Sequence, residues 1–210
     1  MYQLISATPS PYARKVRIAL LEKRIPFELL TEVPWHGTTT TPRHNPLEKL
    51  PILLLEDGTS VYESSYILEY LELTHPEPPL LPKDLPGHLA ARKLEVLCDG
   101  ICDAVVLSLL EKTREGAPSP PWLARQRRKI EGGLAEMARL VSGREWAVGE
   151  TFTRGDIAVG TATAYVSLRF AELAWRVQHP ELAQFADRLA QRESFKATLP
   201  SAQVISERVM

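Results

Sequence analysis

The chain has 210 residues, enough for one large domain or two small ones, and 44% of them are hydrophobic, so we expect a folded protein with a buried core. Its formal net charge of -1 gives no electrostatic reason to expect nucleic acid or an anionic membrane as a partner. No apolar run is long enough to span a bilayer, no signal-peptide pattern opens the chain, and two cysteines are too few for a disulfide framework. These features predict a cytoplasmic protein.

The N-terminal block, residues 1–75, has the pattern of a small mixed sheet with helices against it. A strand at residues 2–6, a helix within 10–24 and a strand within 26–33 make a βαβ unit, which is typical of parallel strands. Two more apolar runs flank Asp57 and Gly58, a strong hairpin signal, and a helix over residues 64–75 ends the block. The run of four threonines before Pro42 shows no periodicity and predicts a loop.

The remainder of the chain has a different pattern. Five prolines lie between His75 and Gly87, and proline interrupts both helices and strand ladders, so residues 76–87 are predicted to be an interdomain linker. Helical periodicity then continues almost to the end, which predicts an all-helical domain over residues 88–210. Within it, Thr153 and Asp156 have the spacing of a capping box, to which we assign a role in stability.

Pro51 stands immediately before the apolar run of the third strand. A trans proline at the first residue of a strand loses a ladder hydrogen bond only at the margin. A cis bond would instead turn the backbone of Leu50 outward, so that its N–H and C=O could pair with an extended peptide. The residues alone leave both alternatives open.

The sequence Glu63-Ser64-Ser65 marks the start of the next helix. Either serine is a suitable N-cap. The same helix end also presents unpaired N–H groups and a partial positive charge to an anion, while Glu63 is suited to holding an ammonium group. The zwitterionic head of an amino acid would match Glu63 and Ser64, so a structural and a binding interpretation both stand.

These stretches together resemble a known family. In order and separation they resemble the cytosolic glutathione transferases, and most of all the bacterial YibF-like subgroup. The stretches that carry the resemblance are SPYARKVRIALLEK, then NPLEKLPILLLEDGTSVYESSYILEYLE, then the helical second half. The resemblance implies an α/β thioredoxin-like N-terminal domain (βαβ then ββα) and an all-α C-terminal domain, usually in a homodimer. It also implies a cis bond before Pro51, glutathione as co-substrate and no metal.

The resemblance also implies roles for particular residues. Ser10, which precedes Pro11 at the start of the first helix, lies where the family has its catalytic serine or cysteine, and its hydroxyl would stabilise the glutathione thiolate. Ser10 could equally be only a cap, and Thr8 is an alternative donor. By analogy, the glutathione contacts are Leu50 and Pro51 for the cysteinyl backbone, Glu63 and Ser64 for the γ-glutamyl end, and Lys49 and His44 for the glycyl carboxylate.

A serine rather than a cysteine at position 10 indicates the reaction type. Mixed-disulfide chemistry needs a protein thiol at that point, whereas a serine favours addition of the thiolate to an electrophile or reduction of a peroxide. Cys98 and Cys102 are expected to be buried core thiols. The second substrate, a small hydrophobic electrophile, is predicted to lie between the domains, and its site is predicted to include Tyr12, Asp103, Leu107, Leu110 and Arg114.

We therefore expect a detoxifying glutathione transferase, with a glutathione-dependent peroxidase activity as a possible side reaction. The alternative is a protein that binds glutathione on the same fold without catalysis and acts as an interaction module. Fold alone does not decide between them, because function depends on the site.

Overall fold

A computed structural model describes residues 1–204 and divides the chain into two compact units. The first unit comprises Met1–Leu80 together with the described residues from Lys196 onward, and the second comprises Leu81–Phe195. Over the part of the chain described, none of the helices combines the length and apolarity that crossing a membrane requires.

A four-stranded sheet forms the centre of the first unit, in the spatial order β2-β1-β3-β4. Strand β1 is parallel to β2 and antiparallel to β3, and β3 is antiparallel to β4. The parallel pair and the hairpin that the sequence predicts are both confirmed. The strands are β1 (Tyr2–Ser6), β2 (Phe27–Thr31), β3 (Ile52–Leu54) and β4 (Ser60–Val61).

Three helices belong to this unit: α1 (Pro11–Glu22), α2 (Thr41–His44) and α3 (Ser64–Thr74). Helix α1 buries Val16, Ala19 and Leu20, the apolar stripe expected from the sequence. Helix α2 begins at the fourth threonine and so corrects the prediction of a loop over the threonine run and Pro42. Pro42 is accommodated there because it lies in the first turn, where the missing N–H would have no helical partner.

The regular elements described in the second unit are helices, as predicted. A buried ion pair joins two of its helices, because the Arg154 guanidinium donates to both carboxylate oxygens of Glu95. The predicted capping box is present at Thr153 and Asp156. The elements are α4 (Leu85–Thr113), α5 (Pro120–Val141), α6 (Arg154–Arg169), a 3-10 turn (Ala171–Leu173), α7 (Trp175–Gln178), α8 (Pro180–Ala190) and α9 (Glu193–Lys196).

The structure differs from the expected domain limits at two places. Helix α4 begins at Leu85, inside the segment assigned to the linker, because Asp84 caps it by accepting the Gly87 N–H at 2.8 Å and Pro86 fits the first turn. The residues from Lys196 onward, assigned by sequence to the helical domain, group with the first unit.

Lys23 fixes the end of the first unit. Its buried ammonium, at the C-cap of α1, donates to the carbonyls of His75 and Pro78 at 2.7 and 2.8 Å and forms an ion pair with Glu72 at 3.0 Å. One cation thus holds the chain as it leaves α3. A buried ammonium is retained in a folded protein only when it is paired in this way.

We predict that Lys23→Met lowers the free energy of unfolding by about 3 kcal/mol, because methionine fills the volume but removes the cation from two carbonyls and a carboxylate. Urea unfolding of the variant and the parent measures the difference. Lys83→Met, at an exposed lysine, is the matched control and should change the free energy by less than about 0.5 kcal/mol. Equal free energies of unfolding for the two variants would show that the contacts of Lys23 do not stabilise the protein.

Candidate functional site

The N-terminal end of α1 carries Ser10. Its side-chain oxygen accepts the Ala13 N–H at 3.2 Å, and its own N–H donates to the Ala7 carbonyl at 3.0 Å, so Ser10 is the N-cap of the helix. Pro11 occupies the first helical position, as expected. A hydroxyl carries one donor and two acceptor sites, so capping uses an acceptor and leaves the proton available. The cap and a thiolate contact are therefore compatible.

The neighbouring hydroxyl of Thr8 is in a different situation. Its O–H donates to the Ser201 carbonyl at 3.3 Å, within the same unit. Because a threonine hydroxyl has one proton, this bond removes the donor that a thiolate would need. The observation favours Ser10 over Thr8 as the donor to a ligand. Tyr12 follows on α1 and is half-buried.

The loop before β3 presents Leu50. The Leu50–Pro51 peptide is cis, which confirms that prediction. Within the described residues, the N–H and C=O of Leu50 have no hydrogen-bond partner. Fully buried Asn45 orders the loop, because its side chain donates to the Lys49 carbonyl at 2.8 Å and accepts the Leu47 N–H at 2.9 Å. Sequence reasoning missed Asn45, since its bonds are to backbone groups and leave no pattern.

The N-terminus of α3 carries the third set of polar groups. Glu63 is the N-cap, not either serine, because its carboxylate accepts the Ser65 N–H at 3.0 Å. The hydroxyl of buried Ser64 donates to the other carboxylate oxygen at 3.1 Å. The Tyr62–Glu63 peptide is also cis. Within the described residues the Ser64 N–H has no partner, so this helix end retains an unpaired donor beside an exposed carboxylate.

One apolar cluster brings these three segments together. Ile5, Ala7, Leu50 and Ile52 are buried in it, and Tyr62 packs against it. Ala7 starts the turn that ends at Ser10, Leu50 precedes the cis proline, and Tyr62 precedes Glu63. The packing of apolar side chains therefore holds the backbone of all three segments at one end of the sheet.

The two residues predicted to contact a carboxylate lie on the segment that leads to Leu50. Lys49 is exposed, so its ammonium is accessible. His44 ends α2 and is half-buried, with its Nδ1 3.5 Å from the Ser60 hydroxyl oxygen. Both side chains belong to the first unit, but nothing in their own contacts assigns them a ligand.

The side chains predicted for the second substrate lie on different units. Tyr12 is in the first unit. The other four lie along α4 and its C-cap, at spacings that place them on one helical face. The C-cap is Arg114, whose guanidinium donates to the Glu111 carboxylate at 3.0 Å. All four are partly or fully exposed. They are Asp103, Leu107, Leu110 and Arg114, and a site shared with Tyr12 stays a prediction.

A carboxylate–threonine cluster, not expected from sequence, orders the segment between β2 and α2. Glu32 accepts hydrogen bonds from the hydroxyls of Thr39, Thr40 and Thr41 and from the Thr40 N–H at 2.9 Å. Burial raises the pKa of Glu32, but these hydrogen bonds together lower it, and the net pKa is below the ordinary value of 4.5. The threonine run therefore functions as a set of donors to one carboxylate.

Two family models match the chain. The N-terminal domain of glutathione S-transferase matches residues 9–74, and its C-terminal domain matches residues 120–188. The matched segments fall in the first and second unit, respectively.

Individual proteins agree with the family models. The uncharacterized GST-like protein YibF of Escherichia coli is 38% identical over 94% of this chain and 98% of its own. A glutathione S-transferase of Methylobacterium radiotolerans, solved in complex with glutathione sulfonate, is 68% identical with a TM-score of 0.97 over 100% of this chain and 99% of its own. One from Methylobacillus flagellatus, with glutathione bound, is 39% identical with a TM-score of 0.91 over 96% and 100%.

We predict that Glu32→Gln destabilises the protein by about 2 kcal/mol at neutral pH, because the amide is a weaker acceptor and brings donors of its own toward the three hydroxyls. The lowered pKa of Glu32 sets the pH dependence. The stabilisation is fully present above the ordinary pKa and is lost as the pH falls through the folded-state pKa, so the difference between parent and variant should shrink between about pH 5 and pH 3.

Urea unfolding at several pH values measures this difference. Glu28→Gln, on the strand that precedes Glu32, is the matched control, since exposed Glu28 accepts a hydrogen bond from Gln3, which glutamine can also accept. If the difference in free energy of unfolding between the parent and Glu32→Gln stayed constant with pH, the charged Glu32 carboxylate would not be the source of the stabilisation.

Proposed function

The chain belongs to the glutathione S-transferase family, and from this premise we propose that it binds glutathione along the first unit and transfers its sulfur to small hydrophobic electrophiles, with the hydroxyl of Ser10 stabilising the thiolate. The observation that supports this most is the apolar cluster of Ala7, Leu50 and Tyr62. It holds together three backbone segments that each end in polar groups available to a ligand. Such convergence of unpaired groups is typical of a binding site.

The cysteinyl residue of glutathione pairs with Leu50 in this proposal. An extended peptide needs one donor and one acceptor at the spacing of a strand, and the N–H and C=O of Leu50 supply them. Asn45 supports the contact indirectly by fixing the loop that ends at Leu50.

The two ends of the tripeptide meet opposite charges. The γ-glutamyl ammonium contacts the exposed carboxylate of Glu63, and its carboxylate accepts the N–H and hydroxyl of Ser64 at the positive end of α3. To make this contact, the Ser64 hydroxyl gives up its hydrogen bond to Glu63 and donates to the ligand carboxylate instead. Lys49 and His44 are assigned to the glycyl carboxylate, because both carry groups that can donate to an anion.

The chemistry follows from the state of the sulfur. A free thiol has a pKa near 8.5 and is mostly protonated at neutral pH, whereas the thiolate is the nucleophile. The proton of the Ser10 hydroxyl and the positive end of α1 both stabilise an anion at the sulfur, so the thiol releases its proton to solvent. The thiolate then forms a carbon–sulfur bond as the leaving group departs with its electron pair. On the second unit, exposed Leu107 and half-buried Leu110 are assigned to the electrophile.

Ser10→Ala tests the assignment. We expect kcat for glutathione with an aryl halide to fall at least about tenfold, because one preorganised donor to the anion is lost. The dissociation constant for glutathione, measured by calorimetry at a pH below the pKa of the bound thiol, should change less than about twofold, because the protonated ligand keeps its other contacts. The pKa of the bound thiol, followed by thiolate absorbance, should rise toward that of free glutathione.

Ser119→Ala, at a serine whose side chain makes no cap bond, is the control and should behave as the parent. An unchanged kcat in Ser10→Ala would remove Ser10 from the mechanism. Binding of glutathione by the parent without turnover of halide, isothiocyanate or peroxide would instead favour the non-enzymatic interaction protein. Turnover of peroxide in the same assay would establish the side activity.

The proposal includes a homodimer in the cytoplasm. Large apolar side chains are more than half exposed along one face of α4, at Leu85, Leu89 and Val96. Exposed apolar surface of this kind is typical of an interface. A second copy of the chain is the occupant we assign to it.

We predict that Leu89→Glu shifts the protein from dimer to monomer in light scattering coupled to size exclusion, because a carboxylate would be buried without a partner. Val177→Glu, at an even more exposed apolar side chain of α7, should leave the dimer intact. A monomeric parent, or a dimeric Leu89→Glu, would contradict the interface.

A further inference from the structure

A C-terminal segment of the first unit lies against the parts of the chain that surround Ser10. We call residues 197–203 the strap. It begins on α1, where the Arg17 guanidinium donates to the Ala197 carbonyl at 3.1 Å and Arg14 Nε donates to the Thr198 hydroxyl oxygen at 3.4 Å. Arg14 and Thr198 are both buried, and burial lowers the pKa of Arg14 to about 10. The strap therefore has a buried attachment to α1.

The middle of the strap reaches the turn that precedes α1. The Thr8 hydroxyl donates to the Ser201 carbonyl at 3.3 Å. Thr8 lies inside the turn closed by the bond from the Ser10 N–H to the Ala7 carbonyl. Side-chain hydrogen bonds link this turn outward to the strap, through Thr8, and inward to the helix, through Ser10 and Ala13.

The far end of the strap is attached to Glu32, the residue that follows β2. Gln203 Nε2 donates to the Glu32 carbonyl at 3.1 Å. The N–H of the same Glu32 donates to the Ser6 carbonyl at 2.8 Å, immediately before Ala7. The strap is thus attached on both sides of the turn, to α1 after it and, through Glu32, to Ser6 before it.

Stabilisation of an anion depends on the distance from the donor to the charge, and small displacements of a donor reduce it. Apart from the cluster around Ala7, the turn that sets the position of Ser10 is fixed mainly by its ends and by Thr8. We propose that the strap positions Ser10 for the thiolate, and that Thr8 is the positioning residue through which it acts. This inference rests on the proposed function.

The same bond keeps the two hydroxyls distinct. While Thr8 donates to Ser201, only Ser10 has a proton to give to the sulfur. Thr8 is thereby a positioning residue and not a second donor, which separates its expected effect from that of Ser10.

The test compares Thr8→Val, which keeps the shape but removes the donor, with Thr8→Ser, which keeps the donor. We expect Thr8→Val to raise the pKa of bound glutathione by about half a unit to one unit, and to lower kcat/KM about three- to tenfold below that pKa. Thr8→Ser should restore the parent profile. Gln203→Ala should shift the profile in the same direction as Thr8→Val, and Leu199→Ala, at an exposed strap residue, should not.

Three results would overturn the inference. A parent-like pH profile in Thr8→Val would remove the positioning role. Lower thermal stability with an unshifted thiol pKa would show that the bond serves folding alone. A loss of kcat/KM in Thr8→Val that exceeds about tenfold and equals that of Ser10→Ala would make Thr8 itself the donor.

The Ser10→Ala variant separates this inference from the proposed function. If Ser10→Ala loses turnover while Thr8→Val does not, only the positioning role fails. If the parent does not bind glutathione in calorimetry, the proposed function fails first.

Discussion

The structure of the site depends on one constraint, the packing of apolar side chains at one end of the first sheet. Strand β1 lies between β2 and β3, so the segment after β1 and the segment before β3 necessarily meet there. Ala7 and Leu50 are buried in the same cluster, and Tyr62 joins it from the end of the hairpin. Apolar packing is not directional, yet here it fixes where three sets of directional polar groups point.

Hydrogen bonds from side chains to the backbone complete what the cluster begins. Asn45 orders the loop before Leu50, Glu32 orders the segment before α2, and Thr8 links the turn before α1 to the strap. Each segment is irregular, so its backbone groups cannot be satisfied by a helix or a sheet and take side-chain partners. Glu32 is a junction, since its carboxylate holds the threonines and its backbone contacts both Ser6 and Gln203.

Elements with a repeating pattern could be predicted from the sequence, and elements without one could not. The apolar stripe of α1, the hairpin around Gly58 and the capping box at Asp156 follow from spacing alone, and the structure contains all three. The cis isomer of the Leu50–Pro51 peptide could be predicted only from the family resemblance, because the residues alone allowed both the cis and the trans form. Asn45, the Glu32 cluster and the strap depend on contacts between residues that no local rule relates, some separated by more than a hundred positions.

The helix caps can be divided into structural and candidate binding caps by asking which of their polar groups already have hydrogen-bond partners. In the second unit, Asp156 accepts N–H groups from Ala147 and Thr153 at 2.8 Å, and the Thr153 hydroxyl donates to it while accepting from Gly155. Both side chains of that cap are buried and bonded to each other and to backbone N–H groups, so neither side chain is left for a ligand.

The caps of the first unit are incomplete by comparison. Ser10 accepts one N–H and keeps a proton, and among residues 1–204 the Ser64 N–H has no partner beside the exposed carboxylate of Glu63. An unpaired donor at a helix end costs little while water reaches it, and it becomes useful when an anion replaces the water. The N-terminal end of α1 suits an anion alone. The N-terminal end of α3 also suits a cation, because Glu63 adds a carboxylate there. A ligand with a thiolate at one point and a zwitterion at another would satisfy both.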